Sequence, residues 1–372
     1  MPSRRNLIEQ TPAYIWGQLA PARERASAYP GGLVDLSVGS PVDPVPEIVR
    51  TALAAGANAP GYPSAAARPQ LRDAIVGWYQ RRRGVDLTEA NVVPTNGSKE
   101  FISLLPFWLG LGPDDVIVEP RVHYPNYGEG GGLVGARMFA STDPQQWPES
   151  ASLIWLNSPG NPDGVVNDVG YLRAAVARAR QIGALIVQDE CYAELGWEGR
   201  WRSERIPSIL DPRVVGGDFT GVLACYSLSK QSNMAGYRAG FVAGDARVVA
   251  GLVNVRKTAG LAVNAPVQSA MIAALGDDEH VREQKARYGR RREILLAALE
   301  STRFRVEGSS AGLYLWCTDG ADAWDGVDWF AGHGILVSPG HFYGPDAARY
   351  VRISLTATDA SVQEAARRLG AD

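Results

Sequence analysis

A chain of 372 residues that is 45% hydrophobic and 21% charged has the material for a large buried core, arranged in one or two domains. A formal net charge of −3 gives no electrostatic reason to expect nucleic acid or an anionic membrane as a partner. No apolar run approaches the ~18 residues of a membrane-spanning helix, and the charged start, Met1-Pro-Ser-Arg-Arg-Asn, is not followed by the apolar stretch of a secretion signal.

A cytoplasmic protein is therefore expected. Cys191, Cys225 and Cys317 are odd in number and scattered, so they give no disulfide framework, and Cys191 and Cys225 read as small buried hydrophobes. The four histidines lack metal-ligand spacing, and no metal is expected.

In chain order, residues 11–29 read as a short helix with a proline near each end, and 34–38 as a strand. Helices are expected over 46–55 and 71–83, the second ending at Gly84. From residue 92 strands and helices alternate. The strands are 92–94, 116–119, 135–140, 152–156, 184–188, 222–227 and 239–243, and the helices 98–109, 168–182 and 245–258. Gly130-Gly-Gly reads as a turn, because no capping pattern follows it. Beyond Pro266 come a long charged helix, 278–300, and strands near 303–306, 312–317, 334–337 and 350–354. Alternation of this kind implies an α/β fold with a mainly parallel sheet flanked by helices. Residues 45–265 would form a large domain, with 1–44 and 266–372 making a smaller α+β one. The runs Arg81-Arg-Arg and Arg290-Arg-Arg read as solvated helix ends.

Three clusters follow strand-like runs and so fall where open α/β sheets bind ligands. The first is Asn157-Ser-Pro-Gly-Asn161-Pro-Asp-Gly164, the second Asp189-Glu-Cys-Tyr192. The third is Ser227-Leu-Ser229-Lys230, with Arg238 eight residues beyond the lysine. They supply an amine nucleophile, a carboxylate, a phenol and anion partners, an inventory that fits pyridoxal 5′-phosphate. A lysine amine forms a Schiff base with an aldehyde. A buried carboxylate such as Asp189 keeps a pyridine nitrogen protonated, so that the ring accepts electrons. Tyr192 and Asn161 suit the ring's phenolic oxygen, and Ser227 and Arg238 the phosphate. Thr95-Asn-Gly97-Ser98-Lys99, ahead of an apolar helical run, offers a further anion cradle.

Asn-Pro-x-Gly, Asp-x-x-Tyr, Ser-x-Ser-Lys with its later arginine, and Arg352-Ile-Ser stand in the order found in the class I/II aminotransferases, which are fold-type I pyridoxal-phosphate enzymes. This chain resembles them over roughly residues 30–360. A narrower likeness, to actinobacterial N-succinyldiaminopimelate aminotransferases, rests on Val34-Asp-Leu-Ser-Val-Gly39-Ser-Pro, Gly97-Ser-Lys-Glu, Ala239-Gly-Phe-Val-Ala-Gly-Asp, Gly334-Ile-Leu-Val-Ser-Pro-Gly and Phe342-Tyr-Gly-Pro.

The resemblance implies that Lys230 carries the cofactor, helped by Asp189 and Tyr192. Gly97, Ser98, Lys99, Asn161, Ser227, Ser229 and Arg238 would complete the cofactor site, and Tyr124 would stack on its ring. Tyr62 would reach the phosphate of a neighbouring subunit in a homodimer. Arg352, with Gly39 and Asn161, would hold the substrate's α-carboxylate. Glutamate and 2-oxoglutarate are the implied donor pair, and the narrower likeness implies lysine and diaminopimelate biosynthesis. Competing readings are an aminotransferase for an aromatic, branched or aspartate-type keto acid, a C–S lyase on the same cofactor, and a non-catalytic regulator.

Two departures stand out. Relatives carry glycine in the stretch occupied here by Ser64-Ala-Ala-Ala67-Arg68, where a turn needs positive φ. They carry threonine at Asp163, which would put a carboxylate near the site. Arg121 and Lys257 are cationic candidates for the distal end of a substrate.

Overall fold

The computed structural model describes residues 13–370 together with Leu7; the expected 11–29 helix begins just outside that range. A short strand, β1 (Val34–Asp35), precedes the seven strands of the main sheet. These are β2 (Val92–Asn96), β3 (Val116–Glu119), β4 (Arg137–Ala140), β5 (Ala151–Asn157), β6 (Leu185–Asp189), β7 (Val222–Ser227) and β8 (Ala239–Gly244). They lie in the order β2-β8-β7-β6-β5-β3-β4. Only β8 runs against its neighbours; the others are parallel, as the alternation implied. Strands β7 and β8 are buried at every position, as a sheet covered on both faces requires.

This topology builds one functional edge. Asn96, Asn157, Asp189 and Ser227 are the last residues of β2, β5, β6 and β7. Because β8 is antiparallel, its first residue pairs with Asn96, and Arg238 just before it arrives at the same edge.

A second set of strands follows. β9 (Arg305–Val306), β10 (Tyr314–Thr318), β12 (Ser338–Pro339) and β13 (Val351–Ser354) form an antiparallel sheet in the order β12-β13-β10-β9. β11 (Ile335–Leu336) pairs in parallel with β1, so the N-terminal stretch is stitched to the C-terminal one. The helix at 279–299 lies within a residue of its expected bounds.

Four local readings are corrected. Residues 126–134 are a helix, not a turn, despite three consecutive glycines. Glycine disfavours helix by about 1 kcal/mol per residue, but here it permits close packing. A Cβ on Gly130 would come within 3.0 Å of the Ile102 carbonyl, and one on Gly131 within 2.4 Å of Met138 Sδ. The 71–83 helix is α-helical over Pro69–Trp78 and widens into a π-turn over Tyr79–Arg83. Ala265–Gly276 forms a helix that the sequence reading passed over; Met271, Ala274 and Leu275 on it join the core beneath the main sheet. The arginine runs are not simply solvated. Arg83 is buried against Glu190 at 3.2 Å, and Arg291 forks onto Asp43 at 2.6 and 2.8 Å while its Nε reaches Asp359 at 2.6 Å.

Candidate active site

The functional edge opens into a cavity of about 250 Å³. Gly39, Ser98, Lys99, Tyr124, Asn161, Asp189, Tyr192, Ser227, Ser229, Lys230, Arg238 and Arg352, all picked out from the sequence, line it.

The short helix Leu228–Gln231 starts where β7 ends. Ser227 caps it, its Oγ accepting from Ser229 N at 3.2 Å and donating to Ser229 Oγ at 2.8 Å. That turn carries the Lys230 side chain into the cavity, where Nζ donates to the Gly39 carbonyl. Burial disfavours the ammonium and sets Lys230 below the ordinary lysine range, against the opposing pull of Tyr314 and Cys191; the positive charges of Arg352 and Arg238 add smaller contributions in the same direction as burial. A lysine of this kind is more readily neutral, which nucleophilic and general-base work both need.

Asp189 is buried at the end of β6. Oδ1 accepts from Cys191 N at 3.1 Å and Oδ2 from the Tyr127 hydroxyl at 3.1 Å. Burial raises its carboxyl above the usual range, against those hydrogen bonds. Among the described residues no lysine, arginine or histidine pairs with it. Tyr127 is itself fixed by stacking on Trp155, with ring centroids 5.2 Å apart.

An anion cradle lies beside the lysine. Gly97 has φ +80°, a conformation that favours glycine, and a Cβ there would lie 2.4 Å from Arg238 Nη2 and displace the guanidinium. The residues after it, Ser98–Trp108, are helical, so a helix N-terminus starts at the glycine against which the Arg238 guanidinium lies. Arg238 is held in the left-handed region at φ 55°, with Nη1 donating to the Ala235 carbonyl at 3.1 Å.

The opposite wall is built from distant segments. Arg352, on β13 and 3% exposed, donates from Nη1 to Asn161 Oδ1 at 2.9 Å and from Nη2 to the Ser37 carbonyl at 2.7 Å. Its guanidinium lies over the rings of Tyr314 at 4.0 Å and Tyr343 at 4.9 Å, and its Nε is buried with no partner. The Tyr192 and Tyr314 hydroxyls meet at 3.1 Å, and burial pushes the Tyr192 phenol well above its ordinary value.

These residues fit pyridoxal phosphate. A buried carboxylate without a cation is costly, and a pyridinium N–H is the complement that Asp189 calls for. The cradle of Gly97, Ser98, Ser227, Ser229 and Arg238 suits a phosphate, and the buried amine of Lys230 an aldehyde. The orphaned Nε of Arg352 is a donor suited to a carboxylate.

Some expected residues fall elsewhere. Tyr62 is fully exposed and does not line the cavity. Asp163 is absent from the lining as well; its Oδ1 accepts from Val165 N at 3.2 Å within the local turn, and burial lifts its carboxyl to about 6. Arg121 pairs with Asp346 at an exposed position, and Lys257 ends a helix away from the cavity. Ala67 takes the positive φ expected of the glycine it replaces, 62°.

Sequence reasoning missed Tyr127, Tyr314, Asn157 and the N-terminal pair Tyr14 and Trp16. Asn157 alone had a local signal, as the last residue of β5: its Nδ2 donates to the Asp189 carbonyl at 3.0 Å and its Oδ1 accepts from Asn161 N at 2.7 Å. Cys191, read as a core thiol, is buried but lines the cavity, with Sγ 3.4 Å from Ser98 Oγ. No helix among the described residues is long and apolar enough to cross a membrane.

Residues 32–369 match the family model for aminotransferase class I and II. The chain is 50% identical to a probable aminotransferase of Mycobacterium tuberculosis, over 99% of this chain and 87% of that protein. It is 48% identical to the 4-dedimethylamino-4-oxo-anhydrotetracycline transaminase of Streptomyces rimosus, over 97% of this chain and all of that one. Among solved structures, a probable N-succinyldiaminopimelate aminotransferase from Thermus thermophilus superposes with a TM-score of 0.85 at 29% identity, covering 96% of this chain and 99% of that one.

Proposed function

The chain belongs to the class I and II aminotransferases, and on that premise we propose that it moves an amino group from glutamate to a keto-bearing acceptor in the cavity of Lys230, Asp189 and Arg352. Enzymes of this family depend on pyridoxal phosphate. The observation that carries the reading is one cavity that joins a buried, pKa-lowered amine to a buried arginine with a donor to spare.

Bound there, the cofactor supplies an electrophilic carbon and an electron sink. The chain's residues do the rest. Lys230 Nζ would hold the cofactor and, once displaced, take the proton from the substrate's α-carbon and return it. Asp189 would keep the ring nitrogen protonated, oriented by Tyr127 and Cys191 N. Tyr192 and Asn161 would donate to the ring's phenolic oxygen, while Tyr124 flanks the ring. Gly97, Ser98, Lys99, Ser227, Ser229 and Arg238 would hold the phosphate, joined across a homodimer by the outward-facing Tyr62. Arg352 would clamp the α-carboxylate of donor and acceptor in turn, beside Gly39.

For the acceptor, the likeness to the Thermus protein supports N-succinyl-2-amino-6-oxopimelate, and with it a place in diaminopimelate synthesis. A second reading, a bulky ring ketone, is supported by the greater identity to the Streptomyces transaminase. The cations that line the cavity favour the second. Among the described lining residues Lys99, Lys230, Arg238 and Arg352 have roles already, which leaves no further lysine or arginine for the distal carboxylates of a succinylated substrate, and Lys99 also lies 3.9 Å from Glu129.

Borohydride reduction of the cofactor-loaded enzyme followed by peptide mapping should put the label on Lys230, and glutamate should then donate to at least one keto acceptor. A label on another lysine, or ammonia and pyruvate from cystathionine with no amino transfer, would overturn the reading.

A further inference from the structure

A second, larger cavity adjoins the first. It measures about 920 Å³ and shares Tyr14 with the catalytic cavity. Its wall is apolar: Ile15, Pro125, Leu133 and Phe342 line it together with the Tyr14 ring. Among its described lining residues there is no lysine or arginine, and the ionisable ones are Glu129, His123 and His341.

Tyr14 forms the partition. It is 65% exposed, stacks on Trp16 with centroids 5.4 Å apart, and lies near enough to Arg352 to feel its charge. Lys99 Nζ stands 5.7 Å from the centre of its ring. A catalytic cavity of 250 Å³ that also takes the cofactor has little room for a large substrate body. A substrate clamped by Arg352 must send the rest of its length outward, and the partition is an aromatic ring that a planar group can pack against.

We infer that the chamber behind Tyr14 receives the distal body of the acceptor, and that this body is an apolar ring system rather than an acidic chain. The inference rests on the aminotransferase reading and gives it a substrate class. Anionic tails would meet Glu129 and, among the described lining residues, no lysine or arginine. A flat apolar body gains area against Leu133, Ile15 and Phe342, and ligand chambers of several hundred Å³ are typically lined in this way.

The test uses the cofactor-loaded enzyme and two kinds of readout. In binding, calorimetry compares 3-(2-naphthyl)propionate with propionate, two unreactive carboxylates that differ only in the ring. The naphthyl compound should bind at least about 10-fold more tightly. In turnover, naphthylpyruvate is compared with pyruvate and with the succinylated oxopimelate, with glutamate as donor, and its KM should be the lowest. Leu133→Trp and Gln18→Trp, at two residues that line the chamber from different segments, should each remove most of the naphthyl advantage while leaving propionate binding and the pyruvate KM unchanged. Equal binding of the two carboxylates would overturn the inference. So would variants that weaken both alike, or a succinylated acceptor preferred over the ring-bearing one. Lack of amino transfer to any acceptor would instead overturn the aminotransferase reading, with the binding comparison still deciding the chamber.

Discussion

The cavity has two halves that are built in different ways. The cofactor half comes from tight turns at strand ends. Ser227 ends β7 and Ser229 and Lys230 follow it, Arg238 precedes β8, and Gly97 to Lys99 follow β2. The substrate half is assembled across the length of the chain, for Arg352 meets Ser37 over 315 residues and Asn161 over 191. One half is fixed by the sheet and the other by the packing of the terminal segments on it. Damage to the first should therefore fall on turnover, and damage to the second on affinity.

The sharpest attempt to break this contrast is Asp189→Asn. The variant keeps shape and most of the Tyr127 contact but loses the charge. We expect kcat to fall roughly 10²–10³-fold, the scale of a lost electrostatic stabiliser, with KM for glutamate little changed. Steady-state kinetics at saturating cofactor decides it, and a near-normal kcat would show that the carboxylate is only structural.

On the other half, Arg352→Lys removes the planar fork. KM for glutamate and for the acceptor should rise together by about 10–100-fold, as expected for a charged hydrogen bond of 1.5–3 kcal/mol, with a smaller effect on kcat. A change confined to one of the two substrates would mean that they do not share a carboxylate site.

The smallest effect lies outside both halves. Ala67 has φ 62° and is 4% exposed. Ala67→Gly should relieve about 0.5–1 kcal/mol of left-handed strain, less than the full cost because glycine loses more entropy on folding. Thermal melting of the holoenzyme should show a higher Tm with unchanged kcat and KM; a lower Tm would show that the Cβ packing outweighs the strain.

The same contrast explains what was legible beforehand. All seven strands of the main sheet were found, because buried β runs and the turns that end them are local in sequence. The cofactor half was legible for the same reason. Tyr127 was not: it lies on a helix whose glycines argue against a helix, and the close approach of Gly130 and Gly131 to Ile102 and Met138 that they permit is a long-range contact. Ala265–Gly276 escaped because apolar residues surround it on all sides and leave no periodicity to read. The helices Ala323–Gly332 and Asp359–Leu369 went unread as well, although Asp322 and Thr358 cap them. Tyr314 and Tyr14 had no motif, since their roles come from long-range packing.

The pairing of β1 with β11 has a consequence for how the protein is made. Val34 and Asp35 reach the ribosome exit early, whereas their partners Ile335 and Leu336 lie some three hundred residues later. At roughly 5–20 residues per second the interval between Ser37 and Arg352 is about 15–60 s. Through that interval the main sheet can fold behind the growing chain, but the N-terminal strand has no edge to join and the contact between Ser37 and Arg352 does not exist. A nascent chain released short of β13 would thus hold most of the proposed cofactor cradle but lack the Arg352 guanidinium that completes the opposite wall.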